Sequence, residues 1–60
     1  MDLTEYVIDY QNNIFVLSHV PEDILDKMKS QFKFSFQYGL YNKTAYYVKT
    51  EGKHTYLREW

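Results

Sequence analysis

Apolar and polar residues alternate along most of this chain, and one stretch of helical spacing interrupts the alternation. From Glu5 to Gln11, Tyr6, Ile8 and Tyr10 fall on one face and Glu5, Val7 and Asp9 on the other, the period of a half-buried strand. Asn12-Asn13 follows. Asparagine tolerates positive φ, so this pair predicts a two-residue hairpin turn. Ile14 to Val20 then returns, with Tyr10 opposite Phe15, Ile8 opposite Leu17 and Tyr6 opposite His19. In that register the apolar sets of both strands share a face.

Pro21 cannot continue a central strand but suits the first turn of a helix. Glu22, Asp23 and Asp26 come early, and Lys27 and Lys29 late, the order that complements a helix dipole. Ile24, Leu25, Met28 and Phe32 form the stripe of a short amphipathic helix. The period returns to two between Ser30 and Lys33. Phe32, Phe34, Phe36 and Tyr38 alternate with Lys33, Ser35 and Gln37, the clearest strand of the chain. Thr44 to Thr50 and Lys53 to Trp60 read as two more strands, with a short turn at Glu51-Gly52. A three-residue loop, Tyr41-Asn42-Lys43, would keep Tyr38 beside Tyr46 on one face.

The expectation is one small domain, residues 1–60, of the α+β class: a β-β-α-β-β-β antiparallel sheet with one short amphipathic helix packed on one face. Its expected core is Tyr6, Ile8, Phe15, Leu17, Ile24, Met28, Phe34, Phe36, Tyr46, Val48 and Leu57.

Composition narrows the function classes. A chain of 60 residues buries only about 60% of the surface its unfolded form exposes. There is no cysteine, hence no disulfide framework and no thiolate chemistry. Two compensations are left: large side chains, which the aromatics supply, and self-association, which leaves a homodimer open. Six Lys against one Arg, and a single Ala, suit an AT-rich coding sequence such as a low-GC bacterium or phage would carry. The acidic start Met1-Asp2-Leu3-Thr4-Glu5 does not read as a signal or transit peptide. No run approaches the ~20 apolar residues of a membrane span, and a cytoplasmic location is expected.

Net charge is only −1, but it is unevenly spread. Residues 1–30 carry six acids and two bases, a net of −4, and residues 31–60 carry five bases and two acids, a net of +3. Nine of the twelve aromatics also lie in the second half. A Glu51-Gly52 turn would pair Lys49 with His54, Tyr47 with Tyr56 and Ala45 with Arg58. The expected partner-binding face is therefore Tyr47, Lys49, His54, Tyr56, Arg58 and Trp60. Tyr, Trp and Arg are the types enriched at binding hot spots. They are also ordinary on exposed strands, where Tyr fits the pleat and keeps its hydroxyl wet.

Catalytic signals are weak. The two glycines, Gly39 and Gly52, make no phosphate-binding loop. His19 and His54 lie far apart, without acidic neighbours at ligand spacing. His19 reads as a structural residue at the edge of the core face. The acids at Glu22, Asp23 and Asp26 are explained by the helix start. His54, Tyr56 and Arg58 alternate on one strand as an acid/base, a tyrosine and an anion-binding arginine would in RNA cleavage, but polar alternation produces such triplets readily. The expected function is thus a non-catalytic interaction module, a regulator or inhibitor docking on a larger protein, with no cofactor, metal or membrane. The alternative is single-stranded nucleic-acid binding, with Tyr47, Tyr56 and Trp60 stacking on bases and Lys49, Lys53 and Arg58 on phosphates.

Overall fold

Asn12 and Asn13 take φ values of 54° and 66°, the conformation a two-residue hairpin turn demands of both central residues. A computed structural model describes residues 1–60. In it, this turn joins β1 (Val7–Gln11) to β2 (Ile14–Ser18), with Tyr10 opposite Phe15 as expected. Farther from the turn the ladder slips. Val7 pairs with Leu17 and Asp9 with Val16, so Ile8 is the extra residue of a bulge and is 57% exposed. Ile8 therefore does not belong to the core. Tyr6 precedes the strand, in a turn whose Tyr6 and Val7 N–H groups donate to the Leu3 carbonyl at 3.0 and 3.2 Å. His19 is likewise not on the core face. It is exposed, takes φ 58°, and carries the chain out of β2, with Nδ1 2.7 Å from the Ser18 hydroxyl.

Pro21 caps α1 (Glu22–Lys29) with φ −59°, ahead of Glu22 and Asp23 in the first turn and with Lys27 and Lys29 in the last. Met28 is fully buried, and Ile24 and Leu25 pack beside it. The helix ends before Phe32, which is 78% exposed. Residues 30–33 form the bend between helix and sheet, so the helical stripe stops short of that ring.

Glycines set the two later turns, and in neither is the turn where the sequence pattern put it. Gly39, with φ 61°, opens the Gly39-Leu40 turn between β3 (Phe34–Tyr38) and β4 (Tyr41–Glu51). Tyr38 pairs with Tyr41, Phe36 with Lys43 and Phe34 with Ala45. Even-numbered residues of β3 thus stand beside odd-numbered ones of β4. Ala45 is buried and Tyr47 packs on the core, in place of Tyr46 and Val48. Gly52, with φ 62°, opens a Gly52-Lys53 turn into β5 (His54–Glu59), so Glu51 faces His54. A bulge at Val48, 46% exposed, then separates the Lys49–Tyr56 pair from the Tyr47–Leu57 pair.

The sheet order is β1-β2-β5-β4-β3, antiparallel throughout. It curls until its two outer strands meet: the rings of Tyr10 in β1 and Tyr38 in β3 lie edge to face, 6.2 Å apart. The N-terminal segment covers part of the β3 edge. Asp2 bridges Gln37 in parallel, the Leu3 N–H donates to the Gln37 carbonyl at 3.0 Å, and the Gln37 N–H donates to Met1 at 2.7 Å. This pairing carries Leu3 into a core of Leu3, Phe15, Leu17, Met28, Phe34, Phe36, Ala45 and Leu57. Thr55 is the one buried polar side chain. Its hydroxyl lies 3.3 Å from that of Thr50, which accepts from Tyr47 at 2.8 Å, so the buried oxygen is satisfied.

Candidate functional site

The sheet has two faces of opposite character. Inward, Phe15 stacks on Tyr10 at 4.1 Å and meets Phe36 and Tyr38 edge to face at 5.2 and 5.6 Å. Outward, the register builds rows across β2, β5 and β4. Ile14, Arg58 and Tyr46 form one row, Val16, Tyr56 and Lys49 the next, and Ser18, His54 and Glu51 the third. Ile14, Val16, Tyr46 and Tyr56 are half-buried by their neighbours, and Arg58, Lys49 and His54 are exposed.

Trp60 continues the outward alternation of β5, its N–H donating to the Thr44 carbonyl at 2.8 Å. Its ring meets Phe32 at 5.2 Å and Tyr46 at 6.0 Å, both edge to face. Lys33 Nζ stands 4.5 Å from the centre of the same ring. Phe32 and Trp60 nevertheless remain 78% and 57% exposed. At the other end, Lys49 Nζ lies 5.3 Å from the Tyr56 ring centre.

Five of the six expected residues, Lys49, His54, Tyr56, Arg58 and Trp60, share this outward face. Tyr47 does not. It pairs with buried Leu57, packs on the core, and has Lys29 of the helix 5.7 Å over its ring. The Val48 bulge puts Tyr46 outward in its stead. Phe32 and Lys33 were missed as members of the face. The signal available for Phe32 was its alternation with Phe34 and Phe36, but the bend before β3 turns it toward Trp60 rather than into the core.

Electrostatics separates the faces further. Glu59 follows Arg58 in sequence but points to the other side, where it accepts the Tyr10 hydroxyl and pairs with Lys43 at 3.5 Å. The hydrogen bond to Glu59 pushes the Tyr10 phenol above its ordinary value, with burial and the carboxylate charge adding to the effect. The second ion pair, Lys49–Glu51 at 3.8 Å, is exposed. Arg58 and Lys33 therefore have no carboxylate within ion-pair distance.

His54, Tyr56 and Arg58 stand on open sheet surface, and the one concavity, lined by Asp2, Thr4 and Glu5, lies at the N-terminal turn. Hydrogen bonds from Thr4, side chain and backbone, hold Asp2 there below its ordinary pKa. No helix is long and apolar enough to cross a membrane. The chain matches no family model, no curated protein and no solved structure.

Proposed function

We propose that the protein is a non-catalytic interaction module that docks on a larger protein, as a regulator or inhibitor, through the outward face of β4 and β5. One observation carries this reading. Phe32, Tyr46 and Trp60 hold one another edge to face, and two of the three rings stay more than half exposed. Large rings held in fixed positions lose little entropy on docking, and exposed aromatic clusters flanked by cations mark interaction surfaces. Half-buried Ile14 and Val16 beside them supply an apolar floor.

The test compares capture by the native protein with capture by Phe32→Ala/Trp60→Ala. Leu40→Ser serves as control, because Leu40 is 96% exposed on the β3–β4 turn, away from this face. A partner kept by the control and lost by the double variant supports the reading. Unchanged capture by the double variant overturns it. Single-stranded nucleic acid is the competing ligand. A mixed-sequence oligonucleotide that quenches Trp60 fluorescence, with log K falling by about 0.7 per phosphate contact per log unit of salt, would replace the protein partner.

A further inference from the structure

The outward face has a repeat that its composition alone does not reveal. Tyr56 and Arg58 alternate along β5, and Trp60 follows its end in the same phase, so their side chains leave the sheet at intervals of about 6.8 Å. Each of these positions joins an aromatic ring to a cation. Lys33 stands over Trp60 at 4.5 Å, Arg58 is the register partner of Tyr46, and Lys49 stands over Tyr56 at 5.3 Å. A cation therefore lies beside each of these three outward positions. Lys33 and Arg58 have no carboxylate partner, and Lys49 has only the exposed Glu51. Glu59 alternates with these residues, but Tyr10 and Lys43 hold it on the opposite side.

Resting on the docking function proposed above, we infer that the occupant of this face is an acidic, extended protein segment with carboxylates on alternate residues. An extended chain repeats its side-chain direction every second residue, at the same ~6.8 Å. Alternate carboxylates then reach Lys33, Arg58 and Lys49 in turn, and the methylene stems of those cations and the ring edges cover the segment's backbone. A nucleic acid fits less well. Lys33 and Lys49 stand over the ring faces that bases would need for stacking. Residues 1–30, with a net charge of −4, repel a polyanion, and the more so the longer it is.

The probe is a peptide of four Glu-Thr repeats, acetylated and amidated. It is compared with an isomer in which the four Glu precede the four Thr, so that both carry the same charge. Binding is read from Trp60 fluorescence and from amide shifts along β4 and β5, at low salt. The alternating peptide is expected to bind at least twofold more tightly, because the block isomer sends half its carboxylates away from the sheet. Arg58→Gln and Lys33→Gln should each weaken it about two- to fivefold, the range of an exposed ion pair, with unfolding temperatures unchanged because both side chains are exposed. Equal affinity for the two isomers overturns the inference, as does an oligothymidine that binds more tightly than either peptide. If neither peptide binds while a partner is still lost on Phe32→Ala/Trp60→Ala, the docking face stands and its acidic occupant falls.

Discussion

Two aromatic clusters in this protein share edge-to-face contacts of similar length and have opposite surroundings. Tyr10, Phe15, Phe36 and Tyr38 stack or meet edge to face at 4.1–6.2 Å around a fully buried Phe15. Phe32, Tyr46 and Trp60 meet edge to face at 5.2 and 6.0 Å in the open. Ring geometry therefore does not distinguish a cluster that holds the fold from one that does not. Burial does, because the area removed from water is what stabilises. The inner cluster has spent its area on folding. The outer one keeps most of its area available for something else.

The largest separation between them should come from Phe15→Ala. Removing a fully buried ring costs about 3–5 kcal/mol, against a total stability of roughly 3–9 kcal/mol for a chain of this length. Denaturant titration should show at least about a third of the unfolding free energy lost. Gly52→Ala should come next. It leaves both clusters intact but strains the turn that aligns Lys49 with Tyr56, since a Cβ meets nothing within 4 Å and only the φ of 62° opposes it. A loss of about 1–2 kcal/mol is expected, with disturbed amide shifts on the outward face.

A smaller effect, confined to alkaline solution, should mark the rim of the inner cluster. Tyr10 is raised above 10.0 in the folded state by its hydrogen bond to Glu59. The unfolded chain loses that proton first, so stability present below pH 10 declines as the pH rises through the folded value. Tyr10→Phe should flatten this part of the stability profile. The smallest change should come from Trp60→Ala. Its ring is mostly exposed, and about 0.5 kcal/mol or less is expected, with partner binding lost. A loss of several kcal/mol would mean that the outer cluster holds the fold after all.

The inner cluster was also the more legible one. Tyr10 and Phe15 could be paired from the sequence because Asn12-Asn13 tolerates positive φ and the flanking apolar positions agree with the turn. Phe34 and Phe36 announced themselves by alternation, and Pro21 with Glu22 and Asp23 marked where the helix begins. The outer face depends on where single residues are inserted. Gly39 and Gly52 were visible as turn residues, but the first turn falls at Gly39-Leu40 and not at Tyr41-Asn42-Lys43, an odd change of register that sends the β4 side chains to the other face. Bulges at Ile8 and Val48 add two further steps that no periodicity announces. That is why Tyr46 and not Tyr47 stands beside Arg58. Leu3 was hidden for a different reason: a lone apolar residue in a polar run has no period, and its burial depends on pairing with Gln37.

The strand order has a consequence for synthesis. β5 is the last strand in the chain, yet it lies between β2 and β4 and is the only strand that joins the two hairpins. Until residues 54–59 leave the ribosome, the nascent chain holds two separate hairpins and a helix, each too small to be stable alone. The nascent protein thus acquires its core in one late step. Without residues 54–59, Phe15 and Phe36 would sit on separate hairpins and turn their rings to water rather than to each other.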